Sequence, residues 1–547
     1  MVFYCTLKSR YIKRASLRTP AVCKKPFLSD FAPGAVFAVD TACISRHGCR
    51  LVQHRRRFRV EFEDALVPED DELKKYEYPF ENLVFEGGGV KGVAYHGTLK
   101  VLSSTGIFPK IKRFAGASIG SITAALLSVC YGPDEVCPMV AEERDLYLED
   151  HSCGILSLLP NFVGNYGWNP GKTMYEWLGQ KFEAKTGNKD ITFREAYLKY
   201  GKELCVVVTN VNQMDVQYCH VKTTPDMPIR VAVRMSVSIP GMYQPVRWCN
   251  GEYTDFFVDG GMLVNFPIHC YDGWWLSMKR EDSFLVRLGD GDEKKVEQNF
   301  KTRFTEFNSN TLGVLLYTDS DHEVNDRLLE ERRECFSSEQ PISRPDTTLT
   351  KKRRGNVTEK EDVDRNLQKV TDTLRKFLKI LTDNDFGESS GPFEKSSLME
   401  AFEKDGTFTE EDVTILFGEK MTLEEIFDML DKNNDGKIDS YELSTFCERK
   451  GMVLKTKKDG FGRLPIDSVV DYLNAVQETL LYNVKKINTK ECDVDRTIGV
   501  YLDYIEGTDF FMEDADRLFA IQNGARGTRA FLKYYVDKFK PSLKESE

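Results

Sequence analysis

Two glycine-rich turns stand one strand-and-helix unit apart in this 547-residue chain, and nothing else in it restricts the fold as tightly. The first reads Glu86-Gly87-Gly88-Gly89-Val90-Lys91-Gly92 and the second Gly116-Ala117-Ser118-Ile119-Gly120. Asn82 to Phe85 is a short apolar run closed by the first turn. Val93, Ala94, Tyr95, Leu99, Val101 and Leu102 then follow at helical spacing. Ile111 to Ala115 reads as the next strand, with Ile122, Ala125, Leu126 and Val129 on the apolar face of the next helix. Glycine permits the positive φ and the close main-chain approach such turns need. A helix N-terminus beyond the first turn adds free N–H donors and positive potential. This alternation predicts an α/β fold with a mostly parallel central sheet and its functional motifs at strand ends.

The residue types at those ends suggest acyl transfer. Ser118 between Gly116 and Gly120 is a nucleophile elbow, whose flanking positions must be small for the bend to be sharp. Much later Val258-Asp259-Gly260-Gly261 ends a hydrophobic strand in a carboxylate. An N–H cradle, a serine and a base are the parts of such a site. The first turn also fits a dinucleotide-binding pattern, but that reading wants an acidic residue at the end of the next strand. Here that strand ends at Gly116 with no carboxylate, so the reading is set aside. Only seven histidines exist, and His269 and His322 alone follow Asp259. His269 lies in an apolar segment and His322 in a solvated polar run. A triad through one of them is an alternative, but direct pairing of Asp259 with Ser118 is favoured, partial burial raising the carboxylate's proton affinity.

These motifs resemble those of the patatin-like phospholipases. Gly87, Gly88, Gly89, Lys91 and Gly92 match that family's glycine-rich oxyanion motif, and Gly116, Ser118 and Gly120 its nucleophile motif. Asp259, Gly260 and Gly261 match its aspartate motif, and Asn265 and Pro267 the Asn-x-Pro that commonly follows. The resemblance implies a three-layer sandwich in which a Ser118–Asp259 dyad hydrolyses lipid acyl esters, with no histidine or metal in the chemistry. Gly88, Gly89 and the N–H of Ile119 are the expected oxyanion donors, and Lys91 would attract a phosphate or complete the turn. The first part of this catalytic domain is expected over 79–335. It resumes over 466–540, where Asp495 to Ile498 and Gly507 to Phe531 resemble its closing strand and helix. Residues 541–547 form a tail.

Between them, over 336–465, the composition turns polar and charged. Inside it, Asp431-Lys432-Asn433-Asn434-Asp435-Gly436-Lys437-Ile438-Asp439-Ser440-Tyr441-Glu442 is an EF-hand loop, with its principal hand over 419–454. Asp431, Asn433 and Asp435 supply oxygens at positions 1, 3 and 5, and Gly436 makes the bend. Lys437 lends its carbonyl, Asp439 ligates directly or through water, and Glu442 closes bidentately. An upstream half-site aligned on Gly406 is expected to pair with it. Its first position would be Ala401, which cannot ligate, and its last Asp412, so one calcium ion per chain is expected as regulator rather than reactant.

Charge is uneven. Residues 1–60 carry thirteen Lys and Arg against Asp30 and Asp40, so the net −11 conceals a body of about −22. The basic segment, 1–78 in all, reads as a transit peptide, as an arm drawn to anionic lipid, or as a terminus without function. No apolar run reaches the ~18 residues of a membrane span, so peripheral membrane contact with a lipid or phospholipid substrate is expected. Trp274-Trp275 and Phe256-Phe257 suit core packing better than lipid insertion. Fourteen cysteines without a Cys-x-x-Cys pair or secretory leader suggest reduced thiols in an intracellular protein, cytoplasmic or peripheral to a membrane, or mitochondrial if the basic segment is a transit peptide. No nucleic-acid module is recognisable, and the acidic body argues against such a partner. The rival reading, from another class, is a catalytically silent calcium-binding scaffold or membrane adaptor.

Overall fold

Short apolar runs ending at glycine become strands, and the runs at helical spacing become the helices that cover them. The computed structural model describes residues 70–544, apart from 143–149, 151–157, 251, 290, 319–331, 333–334, 336–337, 340–341, 385–391, 419, 460–465, 510 and most of 467–489. Residues 1–69, which hold most of the basic segment, lie outside the described residues. The chain divides into two units, one of residues 1–343 with 476–547 and one of 344–475.

The first unit is built on an eight-stranded sheet. Its strands are β1 (Asn82–Phe85), β2 (Arg113–Gly116), β3 (Glu203–Asn210), β4 (Asp215–Cys219), β5 (Val246–Asn250), β6 (Tyr253–Asp259), β7 (Thr311–Tyr317) and β8 (Thr497–Tyr501). The order is β8-β7-β1-β2-β3-β6-β5, with β4 also paired to β3. The run from β8 to β3 is parallel throughout, whereas β4, β6 and β5 join antiparallel. Parallel strands are buried on both faces, and β7 reads Thr-Leu-Gly-Val-Leu-Leu-Tyr with every residue buried.

One face is covered by helices, chiefly α1 (Tyr95–Ser104), α2 (Ile119–Ser128) and α9 (Asp514–Phe539). On the other, Val84, Ala115, Val207 and Leu315 pack against Val264, Phe266, Ile268 and Leu276 from the segment that follows β6. The result is the three-layer α/β architecture with a mostly parallel sheet. Trp274 and Phe257 are buried, as core packing requires, whereas Phe256 stays partly exposed against Tyr166. Among the described residues no helix is long and apolar enough to cross a membrane.

The second unit is helical: α4 (Thr348–Asp383), α5 (Lys395–Asp405), α6 (Glu410–Phe417), α7 (Leu423–Leu430) and α8 (Ser440–Asp459). Its core joins Phe377 and Leu381 of α4, Leu398 and Phe402 of α5, and Ile426, Phe427 and Leu430 of α7. A two-stranded pairing sets Phe393 opposite Ile438. Ile438 therefore pairs with the segment ahead of α5, not with the expected 401–412 half-site. Ala401 is inside α5 and buried in the core, and Gly406, at φ +60°, is the left-handed cap that ends the helix. Asp412 caps α6 through Thr409 and pairs with Lys376. The glycine marked a helix end instead of a loop bend.

Two glycines let helices cross closely. A Cβ at Gly97 of α1 would come within 1.9 Å of the Ile521 carbonyl oxygen, and one at Gly524 of α9 within 2.0 Å of the Ala94 oxygen. Gly451, within α8, has nothing within 4 Å of its Cβ position. Gly524→Ala is expected to destabilise by about 1–3 kcal/mol through overpacking. Gly451→Ala is expected to stabilise by about 0.5–1 kcal/mol through helix propensity. Opposite shifts in thermal midpoint for the same substitution check both.

Candidate active site

At the end of β2 the chain turns into α2 through Ser118, whose φ of +49° and ψ of −127° are unusual for a residue with a side chain. Such a conformation costs about 1–3 kcal/mol and persists only where the surroundings hold it. A Cβ on Gly116 would fall 2.3 Å from the Gly120 carbonyl carbon. One on Gly120 would fall 2.6 Å from the carbonyl oxygens of both Phe85 and Glu86. The flanking glycines are thus demanded by backbone crossing backbone, and the bend leaves Ser118 8% exposed.

The glycine-rich turn after β1 is pinned from two directions. Gly87 N–H donates to the Asn265 carbonyl at 2.9 Å, and Asn265 Nδ2 donates to the Gly87 carbonyl at 3.0 Å. Val90 N–H donates to the Gly507 carbonyl at 3.1 Å, and Lys91 N–H to the Gly88 carbonyl at 3.1 Å. Gly89 has φ +54°, and a Cβ there would sit 2.2 Å from Gly507 O. Gly92 packs on Ile119, whose Cγ1 is 2.6 Å from a Cβ built on that glycine. The expected oxyanion set is therefore smaller than the motif. The N–H groups of Gly87 and Lys91 are already engaged, and Gly92 serves packing. Those of Gly88, Gly89 and Ile119 have no recorded acceptor among the described residues. Lys91 stays part-exposed, with Cε 3.3 Å from a Cβ built on Gly88.

Asp259 ends β6, opposite Val208 of β3. Its Oδ1 accepts the Gly261 N–H at 2.7 Å. Its Oδ2 is buried without a partner in normal hydrogen-bond geometry. Burial pushes its pKa up to about 7, against the opposing pull of the Gly261 N–H and of the Ser118 side chain as a hydrogen-bonding neighbour. Gly260 is confined by the Val207 carbonyl oxygen, 2.2 Å from its would-be Cβ, and Gly261 by Asn265 Oδ1 at 2.7 Å. The structure thus brings Ser118, Asp259 and the glycine turn together. His269 lies elsewhere: its Nε2 shares a hydrogen bond with Tyr218 OH at 2.7 Å, and burial lowers its pKa to about 4. His322 lies outside the described residues.

Glu86 also belongs to the site, a role its place in the motif does not announce. Its buried carboxylate accepts Leu316 N–H at 2.6 Å and Asn265 Nδ2 at 3.2 Å, and its carbonyl accepts Tyr95 OH. It ties β1, β7 and the Asn265 segment at the root of the glycine turn. A charged residue ending an apolar strand was the available signal, since burial there requires partners.

In the second unit, Asp431 and Glu442 are buried at the ends of one loop. Glu442 Oε1 accepts Lys432 N–H at 2.7 Å, and Glu442 Oε2 accepts Asp439 N–H at 3.1 Å. Asp431 Oδ2 accepts Gly436 N–H at 2.9 Å. Asn433 Oδ1 and Asp435 Oδ1 accept the N–H groups of Asp435 and Lys437, both at 2.9 Å. Asn434 at φ +55° and Gly436 at +81° make the bend. The carboxylates are thus held by the loop's own N–H groups, and among the described residues no His, Cys, Asp or Glu cluster converges as a metal site would. The donors are all oxygens, and the closing glutamate already folds over the loop's start, which fits the needs of calcium.

Residues 83–270 match the patatin-like phospholipase profile and 422–450 the EF hand domain. The protein called "Uncharacterized protein YqhO" of Bacillus subtilis (strain 168) is 31% identical over 232 residues, which are 41% of this chain and 76% of that one. "Probable lipid hydrolase 463L" of Invertebrate iridescent virus 6 is 30% identical over 190 residues, 35% of this chain and 62% of that one. The crystal structure of VipD from Legionella pneumophila aligns at 13% identity over 88% of this chain and 73% of that one, with a TM-score of 0.35. This chain spans about three quarters of the first relative and about three fifths of the second. The protein belongs to the patatin-like phospholipase family and carries an EF-hand besides.

Asp259 yields a test of the burial argument. Its folded pKa of about 7 exceeds the ordinary value of about 3.9, so its contribution to stability is full below pH ~4 and lost as pH rises through 7. Asp259→Asn escapes that loss. Its thermal midpoint relative to wild type is expected to be more favourable at pH 8 than at pH 5, and equal differences at both would contradict the assignment.

Proposed function

We propose that this protein hydrolyses acyl esters of lipids, with Ser118 as nucleophile and Asp259 as general base. The observation that carries the reading is a strained serine beside a buried carboxylate whose pKa is pushed to about 7, next to the open N–H groups of one turn. A relative called a probable lipid hydrolase supports lipid esters as the substrate class.

Ionised Asp259 takes the Ser118 hydroxyl proton as Oγ attacks the ester carbonyl carbon. The N–H groups of Gly88, Gly89 and Ile119 hold the oxyanion that forms, each donor contributing about 3 kcal/mol to lowering the barrier. Protonated Asp259 returns the proton to the departing alkoxide, leaving an acyl-serine. Water then attacks with Asp259 again as base, releasing the fatty acid. A base with pKa near the working pH balances the fraction ionised against the drive for proton transfer.

Ser118→Ala and Asp259→Asn are each expected to reduce hydrolysis of a phospholipid or short-chain ester at least about a thousandfold, and His269→Ala to leave most of it. In wild type kcat/KM should rise with pH through about 7 as Asp259 ionises. Covalent labelling of Ser118 by a fluorophosphonate separates this reading from a silent scaffold, which would not react.

We propose further that the Asp431–Glu442 loop binds one calcium ion and regulates the enzyme. Four carboxylates repel one another within this loop, and a divalent cation relieves that repulsion. Calorimetry should find calcium binding that weakens in Glu442→Gln, and activity that differs between chelator and saturating calcium. Unchanged affinity in the variant would refute the site, and unchanged activity would leave calcium a stabilising role alone.

A further inference from the structure

One short stretch of chain holds both members of the proposed pair. It follows α3 (Ile229–Ser236) and reads Ser236-Val237-Ser238. Ser236 is fully buried. Its hydroxyl donates to the Val207 carbonyl of β3 at 2.7 Å and accepts the Ser118 N–H at 2.9 Å. Two residues on, the Ser238 carbonyl accepts the Asp259 N–H at 3.0 Å. The Ser238 hydroxyl donates to the Arg234 carbonyl at 2.7 Å and receives Arg234 Nη1. Arg234 in turn donates to the carbonyls of Gly171 at 3.1 Å, Pro170 at 2.7 Å and Gln244 at 3.1 Å. The stretch is therefore anchored on three sides before it meets the site.

We infer that Ser236 is a positioning residue for the reaction, holding the strained Ser118 main chain so that its hydroxyl stays in register with Asp259. The inference rests on the reading of Ser118 and Asp259 as nucleophile and base. Ser118 precedes the first turn of α2, so no carbonyl of that helix is available to its N–H, and the Ser236 hydroxyl is the acceptor instead. A hydroxyl can serve because it donates once and accepts twice, bridging the β3 carbonyl and the elbow N–H together. The residue at 236 therefore needs an atom that both gives and takes a hydrogen bond at a fully buried position. Alanine provides neither function and leaves a buried N–H unmet beside a conformation already under strain. Because Ser238 fixes Asp259 from the same stretch, loosening Ser236 moves the nucleophile relative to a base that stays in place.

This separates positioning from mere structural support. The Asp259 carboxyl is governed by burial, the Gly261 N–H and the Ser118 side chain, with no ionised group contributing. If Ser118 drifts, the carboxylate loses a neighbour that favours its charged form, and the acid limb of the rate profile moves to higher pH. A residue that only filled space would lower the melting temperature and leave that limb where it was.

The test uses the full chain and a short-chain p-nitrophenyl ester. Ser236→Ala should lower kcat about ten- to a hundredfold, the scale of a misplacement near 1 Å. KM should stay within twofold and the acid limb should shift upward. Ser236→Cys, close in size and able to bond weakly through sulfur, should fall between Ala and wild type on both readouts. A folded Ser236→Ala enzyme with kcat within twofold of wild type and an unmoved limb overturns the inference, as does a loss carried by KM. Should the alanine variant lack a cooperative thermal transition, a folded Ser236→Cys enzyme with wild-type kcat and limb overturns it instead. Ser118→Ala is run alongside: activity surviving there removes the pair itself, whereas an inactive Ser118→Ala with a normal Ser236→Ala removes only the positioning role.

Discussion

Main chain crosses main chain at the root of this site, and that contact governs the rest. Gly116 and Gly120 sit where β2, the first turn of α2 and the end of β1 approach more closely than any side chain would allow. That contact forces the bend through Ser118 and brings it beside the turn that carries the Gly88 and Gly89 N–H groups. A methyl group at either position would push the helix start from the strand ends and dismantle the cradle. The sharpness of the bend is thus a packing constraint.

Around that crossing, hydrogen bonds from distant parts of the chain fix what the bend exposes. Asn265 takes the Gly87 N–H and returns a donor to its carbonyl, while Gly507 takes the Val90 N–H. Glu86 ties the base of the turn to β7. Asn265 and Gly507 each leave one fewer of the turn's N–H groups open, so the surroundings select which ones remain. Desolvation does comparable work on Asp259. A buried carboxylate is a stronger base than an exposed one, and the fold bears the cost of ionising it. A strained backbone at Ser118 and a buried carboxylate at Asp259 are features that stability alone would not favour.

The second unit follows a different physical logic. Its core is a set of helix faces rich in phenylalanine, and its loop carries charge that the helices do not need. The pairing of Phe393 with Ile438 joins the segment ahead of α5 to that loop by main-chain hydrogen bonding, while apolar side chains of α4, α5 and α7 pack the helices together.

The chain alone determined a good deal. Local rules suffice to read a strand, a turn and a helix around Gly87–Gly89 and Gly116–Gly120, to find oxygens at the right spacing in Asp431–Glu442, and to exclude a dinucleotide site at the end of β2. Each depends on residues within a dozen positions of one another. Tertiary structure decided what depends on distant segments meeting. It showed that Gly87 and Val90 have their N–H groups occupied, that His269 turns to Tyr218, and that Phe393 supplies the partner strand to Ile438. It also placed Ser236 and Ser238 against Ser118 and Asp259. Local spacing encodes which groups a segment offers, but burial and long-range hydrogen bonding determine which of them are still free, and that selection is made only when the sheet closes.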